Sequence, residues 1–264
     1  MTAPTPDKSK YWELVEKIEA GDITLSFSSF KEFAKSPRHF IRYKLKDKKQ
    51  TDAMVFGSMV HCSILEPDEF DKRYVVAPKV DRRTKAGKME YALFLEGVGD
   101  KEVVQAKDFE DAKRMGDAVR KNEPGRFLVD RMEEKEVGIT WEFGGFDWRG
   151  FIDGENDHLL VDLKTTADAT PRKLGWSIRD MRYHWQPAFY RMAPGRSHKI
   201  PFILAVDRNC NVTCVEFSDA DIRVAQDQIE WYLTKFHQCI AMGDWHKSYD
   251  FYAGRDGFYK ASRL

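Results

Sequence analysis

Residues 149–166 read RGFIDGENDHLLVDLKTT, and the rest of the chain is best understood outward from them. Two apolar runs, Phe151-Ile152 and Leu159-Leu160-Val161, flank the polar turn Asn156-Asp157-His158, the pattern of two antiparallel strands joined by a tight connection. Asp153 is expected at the end of the first strand. On the second, Asp162 and Lys164 are two residues apart, so the period of an extended chain sends both side chains to one face and Leu163 to the other. Two carboxylates and an ammonium gathered on one face are costly to leave unpaired. A divalent cation would neutralise the acids and leave the lysine to handle a water, the minimum set for metal-assisted phosphodiester hydrolysis.

The composition sets limits on this reading. A chain of 264 residues with 42% hydrophobic content, 18 Phe, 10 Tyr and 7 Trp can bury a full core, and one domain over residues 9–264, with a disordered start at 1–8, is expected. No apolar run reaches the length of a membrane span and no signal-peptide pattern follows Met1, which makes a cytoplasmic location the expectation. Cys62, Cys210, Cys214 and Cys239 are scattered, which supports neither a disulfide framework nor a zinc knuckle. The formal net charge is zero, so any hold on phosphate must be local. Residues 31–49 are the densest basic stretch, with Lys31, Lys35, Arg38, Arg42, Lys44, Lys46, Lys48 and Lys49. Such a run is either a solvated face or a nucleic-acid contact.

Before the hairpin, helices are expected at 11–20, from the Ser26–Ser29 hydroxyls through Ala34, at 38–45 after the Ser36-Pro37 break, and at 52–65. His61 lies beside the apolar stripe of the last, where it is either a satisfied structural residue or, if that helix crosses the hairpin, a nitrogen ligand near Asp153 and Asp162. An edge strand at 74–77, a polar loop at 80–87, helices at 88–95 and 109–121 around a short strand at 103–104, and a breaker at Asn122–Gly125 come next. The strand 136–143 turns at Gly144-Gly145 into 146–153. Glu136 and Glu142 share parity and are read as sheet-edge charges unless one comes within reach of a metal. After the hairpin come helices at 171–179 and 183–192, strands at 202–206 and 212–217, and a long helix at 220–242 capped by Ser218. Gln186 and Tyr190, four apart, share a helical face from which they can bond a phosphate or simply each other's surroundings.

His61, the RGFID ending at Asp153, the VDLKTT with Asp162 and Lys164, and the Gln186-xxx-Tyr190 pair together resemble the PD-(D/E)XK nuclease superfamily. GSMVHCSILEPDEF and YHWQPAFY resemble more narrowly its RecE-like, exonuclease VIII branch, related to phage recombination exonucleases and the RecB nuclease domain, over about residues 25–245. The resemblance implies an α/β fold, a mixed central sheet flanked by helices with its core at about 52–242 and a helical N-terminal elaboration. It implies catalysis by Asp153, Asp162 and Lys164, and one or two Mg²⁺ ions, replaceable by Mn²⁺, on His61, Asp153, Asp162 and the Leu163 carbonyl. Gln186, Tyr190, Arg38 and Arg42 would bind substrate. The implied activity is 5′→3′ digestion of linear double-stranded DNA for recombination by single-strand annealing. Duplex ends, an annealing protein and a homo-oligomeric ring would be its partners, in a bacterial host cytosol if the gene is carried by a phage or prophage. Two departures follow from the same comparison: the large N-terminal extension of some relatives is absent, and Ser36-Pro37 stands where iron–sulfur relatives carry a cysteine, so no cluster is expected. The competing readings are a catalytically silent module that grips DNA ends or a recombinase, a structure-specific endonuclease, and a phosphatase.

Overall fold

The computed structural model describes residues 8–47 and 49–253. The expected disordered start, apart from Lys8, and Lys48 of the basic stretch lie outside them. Its centre is a six-stranded mixed sheet. The hairpin of β4 (Glu134–Phe143) and β5 (Phe146–Glu155) is followed by β6 (Leu159–Thr166), β7 (Ile200–Asp207) and β8 (Val212–Glu216). The β5–β6, β4–β5 and β7–β8 pairs are antiparallel, and β6–β7 is parallel. The parallel pair needs a crossover, supplied by α9 (Pro171–Asp180) and α10 (Trp185–Met192). The strand β1 (Thr24–Leu25), too short to show in the sequence, pairs in parallel with Asp147-Trp148 of β5.

The pairing leaves part of one strand edge open. Along β5, β4 takes one edge from Phe146 to Glu155. The other edge is shared: β1 holds Asp147-Trp148, and β6 pairs only at Gly154 and Glu155. Residues 149–153 between them have no partner strand on that side. Backbone groups freed by such a splay need other partners. The Asp153 carboxylate accepts from the Leu163 N–H at 2.5 Å, and the Tyr190 hydroxyl donates to the Phe151 carbonyl.

Helices cover both faces. On one, α4 (Asp52–Leu65), α7 (Ala106–Lys121) and α8 (Glu123–Asp130) bury Met59, Val60, Met115 and Leu128 against Val161, Leu163, Leu204 and Val206. On the other, α1 (Lys8–Glu19), α2 (Phe27–Phe33), α3 (Pro37–Leu45), α10 and α11 (Asp219–Met242) enclose an aromatic core. Phe30, Phe33, Phe40, Trp148, Trp185, Phe189 and Phe236 are all at or near zero exposure there. The expected α4 boundaries are met, with Thr51 capping the helix by accepting from Met54 N–H.

Two expectations are corrected. Asn122–Gly125 starts a helix as well as ending one: Asn122 Oδ1 accepts from Gly125 N–H and Pro124 sits in the first turn, where its missing N–H costs nothing. The polar loop expected at 80–87 is shorter, since Thr84 caps α6 (Lys85–Val98). A small parallel pair, β2 (Tyr74–Val76) with β3 (Glu102–Val104), brackets that helix.

At the far end of β5, Glu155 is almost fully buried between Arg196 (2.6 Å) and Lys199 (2.7 Å). Burial pushes its carboxyl up, but the two cations outweigh that and hold it below the usual range. A depressed folded pKa gives stability that is present above the unfolded value, about 4.5, and is lost as pH falls through the folded one. Glu155→Gln should therefore cost about 3 kcal/mol at pH 7, with two cations left underpaired. In urea titrations at pH 7 and pH 3.5 the gap between wild type and variant should shrink at the acid pH; an equal gap at both would count against this account.

Candidate active site

A cleft of about 650 Å³ opens at the unpaired stretch of β5. Its walls carry Asp153 from β5, Asp162, Leu163 and Lys164 from β6, His61 from α4, and Gln186 and Tyr190 from α10. The six polar side chains expected to serve chemistry at this site are thus brought into one space from four elements.

The two acids differ. Asp153 faces His61, whose Nδ1 is 3.5 Å from Oδ1, while its Oδ2 is held by the Leu163 N–H. Burial works to raise its pKa, yet the imidazole, Lys164 and the backbone N–H together hold it below the ordinary carboxylate value. Asp162 is buried more completely. The Lys164 ammonium is 2.6 Å from its Oδ2, but neither Asp162 oxygen receives a well-aligned hydrogen bond. Desolvation dominates over the attraction of Lys164, and the pKa is pushed up to about 6.

Lys164 is positioned on three sides. Beyond Asp162, its Nζ donates to Gln186 Oε1 at 3.0 Å, and it lies 5.2 Å from the centre of the Tyr183 ring. Gln186 in turn donates to the Tyr190 hydroxyl at 2.7 Å, and Tyr190 donates to the Phe151 carbonyl. A relay of side chains from α10 therefore ties the lysine of β6 to the backbone of β5. Burial disfavours the ammonium, but Asp162 and Asp153 outweigh it and keep Lys164 charged. Gly150 gives the Tyr190 ring its place: a Cβ there would stand 2.6 Å from Tyr190 Cε1. Gly150→Ala should destabilise the fold by about 1–3 kcal/mol by overpacking and slow any reaction that uses Lys164. A melting temperature equal to that of the wild type would show that the ring is not confined there.

Glu136, left in the sequence as a sheet-edge charge, stands opposite Asp153 in the β4–β5 hairpin. Its φ of 53° is left-handed, uncommon for a non-glycine residue. His61, Glu136 and Asp153 each offer a donor atom, and these lie within 4.8 Å of one another. Burial and the nearby Asp153 charge raise the Glu136 pKa. Counting outward from the Gly144-Gly145 turn would have placed Glu136 across from Asp153. Glu136 lines a neighbouring recess that shares His61 with the cleft, whereas Glu142 pairs with Asp147 and lines neither.

Arg38 and Arg42 do not line this cleft; they border a separate recess with Trp12 and Trp245. From the same basic stretch it is Lys31 that enters the cleft, together with Tyr43, and Arg149 and Phe151 extend it along β5. Burial lowers the Lys31 pKa from its ordinary value.

The donor set fits a divalent cation. Carboxylate oxygens of Asp153 and Glu136 and an imidazole nitrogen of His61 lie close enough together to suit a hard ion, and the buried Asp162 carboxylate, outside that group, lines the same cleft as Asp153 and His61.

An acid on one strand, an Asp-x-Lys on its neighbour and a mixed sheet between helical layers are the parts of a PD-(D/E)XK nuclease core, and this chain is of that superfamily. It belongs to the family described as the PDDEXK-like domain of unknown function (DUF3799), whose model matches residues 26–249. A search of the curated proteins finds no match. Among solved structures, a "putative exonuclease" from Eubacterium rectale is 17% identical over 91% of this chain and 88% of that one, with a TM-score of 0.59, a likeness of fold. The protein SSO0001 (14% identity, 66% and 85% coverage, TM-score 0.29) and an alkaline exonuclease from Laribacter hongkongensis (19%, 67% and 96%, TM-score 0.28) are more distant. Among the described residues no helix is long and apolar enough to cross a membrane.

Proposed function

We propose that this protein is a Mg²⁺-dependent deoxyribonuclease that digests linear double-stranded DNA from an end, in the 5′→3′ direction. The observation that carries the reading is the convergence of Asp153, Asp162, Lys164 and His61 on one cleft, where the buried Asp162 carboxylate is met by the Lys164 ammonium and by no well-aligned hydrogen bond. His61, Asp153, Asp162 and the Leu163 carbonyl would hold the ion, with Mn²⁺ able to replace Mg²⁺ and Glu136 near enough to take part if there are two. When bound, the ion polarises the scissile phosphate and acidifies a water.

The chain's own groups do the rest. Lys164, kept charged by two acids, donates toward the developing negative charge on the phosphate and orients the attacking water. Water adds its oxygen to phosphorus as the bond to the 3′ oxygen breaks; that oxygen takes up a proton from the water and leaves as the 3′ hydroxyl of the released nucleotide, and the shortened strand carries the new 5′ phosphate. Gln186 and Tyr190 fix the lysine through the relay and lie along the path of the adjoining nucleotide. Any DNA contact by Arg38 or Arg42 falls outside the cleft, on the flanking duplex.

A role in recombination by single-strand annealing, a phage or prophage source, an annealing protein as partner, a ring of subunits and a cytoplasmic setting all belong to the same proposal through the RecE-like resemblance. The experiment is digestion of end-labelled linear duplex and the same DNA as a closed circle, with Mg²⁺ and with EDTA. Loss of the linear form only, and only with metal, is expected. No digestion of either rejects the nuclease; digestion of the circle rejects end dependence and favours a structure-specific endonuclease.

A further inference from the structure

We propose that the open face of β5, from Asp153 through Phe151 to Arg149, is a track for the strand being cut. In it the base of the nucleotide beside the scissile phosphate stacks on the Phe151 ring, and a neighbouring phosphate sits on the Arg149 guanidinium. The inference rests on the nuclease reading and goes further in naming the substrate contacts.

Three observations carry it. Residues 149, 151 and 153 alternate with Trp148 and Ile152, which are wholly buried, so the three line the same side of the strand at steps of about 6.8 Å. That is a step comparable to the separation of consecutive phosphates along an extended strand. Phe151 is 63% exposed in the middle of a strand, and it makes no ring contact among the described residues. Its carbonyl accepts from the Tyr190 hydroxyl, which anchors the backbone carrying this exposed ring two residues from Asp153.

Arg149 is four residues along β5 from Asp153, and Lys31 and Lys164 also line the cleft. Neither Arg149 nor Lys31 forms an ion pair among the described residues, although 16 such pairs occur elsewhere in them. A guanidinium without a carboxylate partner, two residues from an exposed ring on the same side of β5, matches a ligand with both negative charge and flat apolar faces, which is a nucleic-acid strand with its bases accessible. Because a base inside a duplex has no free face, the terminal nucleotide must leave its pair to reach Phe151.

The test uses the full chain with Ca²⁺ in place of Mg²⁺ and a short duplex carrying 2-aminopurine next to its 5′ end. Binding of wild type should change the 2-aminopurine emission. Phe151→Ala should remove that change and weaken binding about tenfold, the scale of one lost stacked base, while Phe151→Tyr keeps both. Arg149→Ala should lower the slope of log affinity against log salt by about 0.7, one single-strand phosphate contact, and Arg149→Lys should restore it. Thermal stabilisation by the metal should be unchanged in all four. If wild type binds and cuts DNA but Phe151→Ala and Arg149→Ala match it in emission, affinity and slope, the track is wrong and the nuclease stands. If wild type neither binds nor cuts, both fall.

Discussion

Lys164→Met is expected to lower the rate of DNA cleavage by on the order of 10²–10⁴-fold while leaving metal binding largely intact. The reason lies in how the ammonium is held. It makes an ion pair at 2.6 Å with Asp162, donates to Gln186, and borders Tyr183, so it is fixed before substrate arrives. A preorganised charge acts on the transition state without reorganisation at the moment of reaction, which is why its loss should appear in kcat more than in KM. Methionine keeps the length and removes the charge. Single-turnover cleavage and a Mn²⁺ titration of the same variant decide the matter. A rate within a few-fold of wild type would mean that Lys164 is only the counterion of Asp162.

Asp162→Asn should have a broader effect, removing both cleavage and stabilisation by metal. On the proposed reading the ion binds the folded state of the wild type alone, so at 100 times its dissociation constant it should add about 2.7 kcal/mol. For a chain of this size that is a rise in Tm of about 5–10 °C. The variant has one fewer anionic ligand, and its Tm should be nearly indifferent to Mg²⁺ or Mn²⁺. The pH dependence follows from the same group. Its folded pKa, about 6, lies above the ordinary 3.8, so between those values the folded state holds the extra proton; without metal this carboxyl favours folding at acid pH and the contribution is lost as pH rises through 6. Metal binding must displace that proton and should weaken below pH 6. A wild-type Tm shift that is the same at pH 5 and pH 8 would contradict this.

Much of the site was readable because it depends on short-range periodicity. Asp162, Leu163 and Lys164 alternate as a strand requires, and the helix carrying His61 was marked by its mostly apolar stripe. What joined His61 to the acids was resemblance, since no spacing in the chain relates residue 61 to residue 153. The limits are equally specific. The opening of β5 depends on a two-residue strand, Thr24–Leu25, that carries no periodic signal. Gln186 and Tyr190 were expected to meet substrate; both line the cleft, but their hydrogen bonds run to Lys164, to each other and to β5, a choice of partner that helical spacing does not reveal. The basic stretch 31–49 gave the charges without their directions. Lys31 turns inward while Arg38 and Arg42 border another recess, because α2 and α3 are separate helices divided at Ser36-Pro37.

The claim beneath all of this is that carboxylates from two neighbouring strands and an imidazole from α4 enclose a divalent ion. Anomalous diffraction from crystals grown with Mn²⁺ tests it most directly. The account predicts a peak bounded by Asp153, Asp162, the Leu163 carbonyl and His61, with ligand oxygens at about 2.0–2.6 Å, absent from Asp162→Asn. A fully occupied ion elsewhere on the protein, or none at saturating Mn²⁺, would contradict it.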